Sequence, residues 1–196
     1  LYLAINDSAR ATEYLNRIEA YYRQNRSAAP AGLDIQHAWL LFNAKDDVAL
    51  YPVMRRLDAR PDLTAAQREQ VSSLWSNWAI RRAQSAIDGG NVQRGVEILQ
   101  AAAQTYPDNR AIRRALAGAY AKAGSSSDAL ALFKTIPMDN AVAGDYEGAI
   151  GAAIGAKDMK QAEAWLRQGL TRFPADPKIL ALAARLNLRT RTNFYP

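Results

Sequence analysis

The sequence predicts an all-α protein, built as a right-handed solenoid of helical hairpins. The first observation is a repeat: small residues recur at Gly95, Ala129 and Ala162, spaced 34 and then 33 positions apart. A bulky apolar residue follows each of them four positions later, at Leu99, Phe133 and Leu166. The second observation is composition, since 49% of the residues are apolar and the charges are of mixed sign. Self-similarity with a period near 34 residues is typical of stacked pairs of antiparallel helices.

The repeat divides the chain into four segments. We predict N-terminal hairpins with partial and degenerate repeats over 1–61, and a long inserted helix with a turn over 62–91. Regular repeats are expected over 92–188, followed by a tail or cut end at 189–196. The opening letters LYLAI resemble the tail of a helix whose beginning is missing, so the chain is expected to be a piece of a longer protein.

Three helices are predicted before the insertion. The first ends near Asn25 and carries a core stripe with helical spacing, formed by Ala11, Leu15, Ile18 and Tyr22. The second is expected at Leu33–Asn43. The third, Asp47–Asp58, contains Pro52, so it either begins at Tyr51 or bends at the proline. Its spacing to the closing proline predicts that Pro30–Pro61 is a further copy of the repeat.

An insertion of about twelve residues lies before the turn at Gly89–Asn91, because 46 residues separate Pro61 from Pro107. Thr64 and Gln67 have the spacing of a capping box. No Gly or Pro follows until the turn, which predicts one long helix ending at Asp88. The alternative is a break near Ser72–Ser76 with an extra short helix. We expect the array to bend at the hinge formed by Gly89, Gly90 and Asn91.

Six helices are predicted after the turn, alternating between the first and second helix of each hairpin. A proline often follows the second helix and ends it. The expected ranges are Val92–Thr105, Asn109–Lys122, Ser126–Thr135, Val142–Gly155, Met159–Arg172 and Pro177–Leu188.

The repeated residues resemble the tetratricopeptide repeat, in which small residues allow close helix approach and large ones fill the spaces between helices. One copy reads Leu116, Ala117, Tyr120, Gly124, Ala129 and Phe133. The next reads Ile150, Gly151, Ile154, Ala162, Leu166, Gly169 and Pro174. The resemblance implies a non-enzymatic interaction module with a concave surface.

A narrower resemblance covers Gly144–Leu186 and the stretch DLTAAQREQVSSLWSNWAIRRAQSAIDGGN. Both are similar to the periplasmic repeat region of the BcsC family of bacterial cellulose synthase components. The resemblance implies a periplasmic scaffold, part of a longer outer-membrane protein, that links synthase subunits and nascent glucan to the export channel. The alternative is a generic adaptor that binds a peptide segment in its groove.

The sequence offers little for catalysis. It has one histidine, His37, and no cysteine, which excludes thiol chemistry and His/Cys zinc sites. We therefore expect no catalytic residues, no metal and no cofactor. The net charge is +6, but the basic residues form no block of the kind that binds nucleic acid. No apolar run approaches the ~20 residues that a membrane span requires.

Two sets of candidate contact residues remain. Repeat positions place Gln84, Asp88, Arg114 and Lys122 on first helices, where they are expected to face the concave groove and a partner segment. Trp75 and Trp78 lie three residues apart in the inserted helix, so they share a face. They are expected either to stack on glucan rings or to pack against the N-terminal hairpins.

Overall fold

The computed structural model describes residues 8–25 and 29–192, and within these ranges the chain forms ten helices and no strands. They are α1 (Ser8–Gln24), α2 (Ala31–Asn43), α3 (Asp47–Asp58), α4 (Ala65–Asp88), α5 (Val92–Thr105), α6 (Arg110–Lys122), α7 (Ser126–Lys134), α8 (Ala143–Gly155), α9 (Met159–Arg172) and α10 (Pro177–Thr192). The all-α fold class is confirmed. The helix tail expected at residues 1–5 and the side chain of Ala11 lie outside the described part.

The helix predictions hold with shifts at a few ends. Helix α4 runs unbroken from Ala65 to Asp88, so the alternative break near Ser72–Ser76 is wrong. Helix α3 begins at Asp47, not at Tyr51, because the Asp46 carboxylate accepts a hydrogen bond from the Ala49 N–H and caps this end. Helix α10 continues past the predicted end at Leu188 to Thr192, since no Gly or Pro interrupts it.

The chain forms two compact units, 1–78 and 79–196. In the first unit, α2, α3 and the beginning of α4 enclose one apolar core. Its most buried side chains are Ala38, Leu50, Met54, Leu57 and Leu74. The predicted capping box begins α4, since the Gln67 N–H donates to the Thr64 hydroxyl and the Gln67 side chain accepts from the Thr64 N–H.

A network of charged side chains joins α1 to α2 and α3. Glu19 on α1 accepts hydrogen bonds from His37 on α2, at 2.9 Å, and from Arg56 on α3. Arg56 also donates to Asp34 at 3.1 Å, and Arg60 donates to Asp34 at 2.9 Å. Asp34 is only 2% exposed, so both of its carboxylate oxygens are paired within the protein rather than with water.

The second unit repeats one turn between helices. The second residue after each first helix enters the left-handed region, with φ of 86° at Gly90, 81° at Gly124 and 63° at Lys157. In each turn an N–H three residues past the helix bonds back to its last turn, as Asp158 does to the Ala153 carbonyl at 2.9 Å. Lys45, with φ of 59°, makes the same turn in the first unit.

Apolar residues from successive hairpins form the core of the second unit. Ala83, Val96, Leu99 and Leu116 pack together where α4, α5 and α6 meet. A larger cluster continues from α6 through α10 and includes Phe133, Tyr146, Ile150, Trp165 and Ile179. None of the helices over the described ranges is both long enough and apolar enough to cross a membrane.

Candidate interaction surface

The predicted groove residues on α4 are both exposed. The Gln84 amide donates to the Asp88 carboxylate at 2.6 Å, one helical turn away. This bond orients the two side chains along the helix surface without burying either of them. Both side chains are therefore accessible, and their contact with a partner stays a prediction.

Arg114 on α6 has a structural role instead. Its guanidinium donates to the carbonyls of Pro137, at 3.1 Å, and Asn140, at 3.3 Å, in the loop between α7 and α8. It also lies 3.6 Å from the Asp145 carboxylate in the first turn of α8, and its side chain is only 16% exposed. Arg114 therefore holds two neighbouring hairpins together, which leaves few of its donors for a partner.

Lys122 ends α6 with an exposed side chain, and no ion pair is seen for it among the described residues. A cation in the last turn of a helix is favoured by the helix dipole. Of the predicted groove residues on α6, Lys122 is thus the one that can contact a partner.

A cavity of about 360 Å³ opens between the first helices α8 and α10. Its lining combines apolar and basic side chains and is formed by Gly151, Ile154, Gly155, Lys157, Leu182 and Arg185. Lys157 and Arg185 were not singled out from the sequence. Lys157 lies in the turn after α8, and Arg185 lies on α10, whereas the predicted groove positions lie on α4 and α6. The signal was present, since a lysine stands where the two preceding turns have glycine.

The carboxylate of Asp158, which follows Lys157 in the sequence, is already hydrogen-bonded to other groups. Asp158 accepts a hydrogen bond from Lys134 at 2.8 Å and another from the Gln161 N–H at 3.1 Å. The hydrogen bond from Lys134 and the bond from Gln161 lower the pKa of Asp158, so its negative charge is held at the beginning of α9. Among the described residues, Asp158 forms no direct ion pair with Lys157.

The two predicted tryptophans meet a tyrosine that the sequence reasoning did not single out. Tyr51 on α3 lies with its ring centroid 5.9 Å from that of Trp75 and 5.7 Å from that of Trp78. Both tryptophans are half-buried against the core of the first unit, whereas Tyr51 is 46% exposed. The indole N–H of Trp75 is buried, so a ligand here would contact the rings rather than this donor.

The predicted hinge is a well-bonded turn inside the second unit. The Gly89 N–H donates to the Ser85 carbonyl, and the Asn91 N–H donates to the Ala86 carbonyl. The Asn91 side chain then caps α5 by accepting from the Arg94 N–H at 3.0 Å. The boundary between the two compact units lies at Trp78 and Ala79, within α4 and before this turn. Bending at Gly89–Asn91 stays a prediction.

The net charge is unevenly distributed along the sequence. Residues 1–78 carry equal numbers of basic and acidic side chains, nine of each. Residues 79–196 carry sixteen basic and ten acidic side chains and so account for the whole net charge of +6. A net positive charge of this kind attracts acidic partners.

The described part of the chain shows no group of three or more His, Asp or Glu side chains arranged to hold a metal ion. His37, the histidine of the sequence, is 3% exposed and bonded to Glu19. It is therefore part of the packing between α1 and α2.

Comparison with known proteins agrees with this geometry. Residues 86–152 match the tetratricopeptide repeat family. A segment of 102 residues is 31% identical to the cellulose synthase operon protein C of Xanthomonas axonopodis pv. citri (strain 306). The segment is 52% of this chain and 7% of that relative, so the chain spans only a small part of the relative's length. The resemblance to both groups of proteins is confirmed.

Solved structures show the same fold. The first tetratricopeptide domain of human RPAP3 aligns with a TM-score of 0.54 and 12% identity, covering 62% of this chain and 98% of that domain. The tetratricopeptide domain of P58(IPK) aligns with a TM-score of 0.58 and 11% identity, covering 100% of this chain and 55% of that one. The chain thus has the all-α fold of these tetratricopeptide-repeat structures.

Proposed function

We propose that this chain is a non-enzymatic periplasmic scaffold of a bacterial cellulose synthesis and export machine. In this role it links synthase subunits, and the growing glucan, to an outer-membrane channel through protein contacts. The chain would then be one part of a longer outer-membrane protein. The partial match to the cellulose synthase operon protein C is the observation that carries the proposal.

The geometry supports a binding role rather than chemistry. The first helices of successive hairpins present exposed polar side chains, including Gln84, Asp88 and Lys122. Several carboxylates, such as Asp158 and Asp145, are used to cap helices or to pair with cations. Carboxylates bonded in this way are not free to act as paired general acid and base.

The proposal is tested by presenting the purified chain to the inner-membrane cellulose synthase complex and measuring association by biolayer interferometry. We expect saturable binding that weakens when Lys122 and Gln84 are both replaced by alanine. A matched control replaces the exposed Arg94 and Gln93 on the second helix α5. Binding that is absent, or equally lost in the control, would contradict the proposal. Equal binding to unrelated peptides would favour the generic adaptor.

A direct glucan contact is a second candidate, favoured by one observation. Tyr51, Trp75 and Trp78 form a cluster of three rings with centroids 5.6–5.9 Å apart, and the Tyr51 ring is accessible. Aromatic rings stack on the apolar faces of sugars, and partial burial of the tryptophans would keep such a platform rigid.

Tryptophan fluorescence tests the glucan contact during titration with cello-oligosaccharides. Since Trp75 and Trp78 touch Tyr51, binding is expected to change their emission in a saturable way. Tyr51→Ala should abolish the change, while Tyr14→Ala, at a similarly exposed tyrosine of α1, should preserve it. Specific binding usually has a dissociation constant below about 10 mM. An unchanged emission spectrum at that sugar concentration would therefore exclude a direct glucan contact.

A further inference from the structure

The cavity between α8 and α10 has the features of a binding site for a side chain of a partner. Its volume of about 360 Å³ is at the small end of the range for ligand cavities. Ile154 and Leu182 supply an apolar floor. At Gly151 an added Cβ atom would meet nothing within 4 Å, so the backbone itself is open to a ligand at this point.

Two cations border the apolar floor. Lys157 in the turn after α8 and Arg185 on α10 both line the cavity, and neither forms an ion pair with a described residue. Several other cations of the second unit are paired, as Lys134 is with Asp158 and Lys178 is with Glu147. Two unpaired cations beside an apolar floor complement a ligand that carries both a negative charge and an apolar group.

The backbone of Lys157 adds an independent observation. Its φ of 63° lies in the left-handed region, where the two preceding turns use Gly90 and Gly124. A side chain with a Cβ atom costs on the order of 1 kcal/mol in this conformation. Lys157 thus places a charged side chain beside the cavity at a turn position where Gly90 and Gly124 have none.

We propose that this cavity binds a protein segment in which an acidic side chain stands next to a large apolar one. The apolar side chain would fill the space above Gly151, and the carboxylate would pair with Lys157 and Arg185. A protein segment fits better than cellulose, because an uncharged glucan would leave both cations without a partner. The inference rests on the protein-binding part of the proposed function and not on its link to cellulose.

The test uses a fluorescein-labelled peptide in which glutamates flank a pair of leucines, with fluorescence polarisation as the readout. We expect micromolar binding that weakens when glutamine replaces the glutamates or when salt is raised. Lys157→Gly should weaken binding about fivefold, and Arg185→Gln should do the same. The first variant is expected to fold, since glycine occupies the equivalent turns.

Two matched controls make the test specific. Lys45→Gly changes a lysine of the same backbone conformation in the first unit, and it should leave binding unchanged. Gly151→Leu fills the cavity and should weaken binding about tenfold or more. Gly144→Leu, at an equally open position in the first turn of α8, should not weaken it. Circular dichroism would verify that each variant is folded.

Three results would overturn the proposal. The first is no saturable peptide binding at about 1 mM. The second is equal weakening by Lys45→Gly and Lys157→Gly, which would indicate non-specific attraction. The third is displacement of the peptide by cello-oligosaccharides, which would assign the cavity to sugar. The two proposals can fail separately: specific peptide binding without association with the synthase complex contradicts only the scaffold function, and the reverse contradicts only the cavity assignment.

Discussion

At the scale of single residues, Asp34 is the most consequential polar group of the first unit. It is 2% exposed and accepts hydrogen bonds from both Arg56 and Arg60. Removing one member of a buried ionic group leaves the other charges without compensation, and this loss is larger than the net stabilisation that the intact group provides.

Asp34→Ala is therefore expected to lower the free energy of unfolding by about 3 kcal/mol. Asp62→Ala removes a carboxylate that is 58% exposed and also bonded to Arg60, and it should cost much less, because water screens the exposed pair. Urea denaturation followed by circular dichroism would measure both. If the two variants lost similar amounts of unfolding free energy, the larger cost predicted for the buried carboxylate would be contradicted.

The second prediction at this scale compares a tightly packed glycine, Gly95, with one that has room for a side chain, Gly118. A Cβ atom at Gly95 would lie 2.5 Å from Ile87 Cγ1 and 3.0 Å from the Ala83 carbonyl oxygen, whereas at Gly118 it would meet nothing within 4 Å. Gly95→Ala should destabilise the chain by about 1–3 kcal/mol through overpacking. Gly118→Ala should stabilise it by roughly 0.5–1 kcal/mol, because alanine favours the helix. Thermal unfolding would show a lower Tm for the first and a higher one for the second.

The sequence predicted residue roles where local spacing determines them. Gly95 was identified from the period alone, and Trp75 and Trp78 were placed on one face from their separation. Arg114 could not be assigned correctly, because its bonds to Pro137 and Asn140 depend on how the loop between α7 and α8 folds back. The position of Tyr51 against the tryptophans likewise depends on the packing of α3 on α4.

At the scale of elements, α1 is attached to its neighbours partly by ionisable groups. Burial raises the pKa of Glu19, but the hydrogen bond from His37 and the charges of His37 and Arg56 outweigh it, and the pKa lies below the ordinary value of 4.5. A lowered pKa in the folded state means that Glu19 stabilises the fold fully above about pH 4.5. This contribution is lost as the pH falls through the lowered value.

Glu19→Gln should therefore lower the stability by about 2 kcal/mol at neutral pH, since it removes a charged hydrogen-bond acceptor. The difference between the variant and the natural chain should shrink below about pH 4. Denaturation curves recorded at several pH values would test this, with Glu13→Gln, whose carboxylate is 62% exposed, as the control. A difference that stays constant down to pH ~2 would contradict the role of the Glu19 charge.

Helix boundaries were largely predictable because the signals are local. Thr64 and Gln67 marked the beginning of α4, and Asp46, Asn91 and Asp158 cap helices as turn residues commonly do. The end of α10 at Thr192 was harder to predict, since the repeat pattern stops there while helix-forming residues continue.

At the scale of the whole molecule, the sequence predicts a bend at Gly89–Asn91. Spin labels placed near the end of α4 and on α8 would report the distribution of distances across this turn in solution. A broad distribution that narrows when Gly90 is replaced by alanine is expected, because a Cβ atom restricts the left-handed conformation of this residue. A single narrow distance in the natural chain would contradict the hinge.

The central claim is that the first helices of the regular repeats bind a component of the cellulose synthase machine. Hydrogen–deuterium exchange of the chain, with and without the purified inner-membrane complex, tests it most directly. The account predicts slower exchange in α6, α8 and α10 on complex formation, with little change in α7 and α9. Unchanged exchange over all the regular repeats at saturating complex would contradict it.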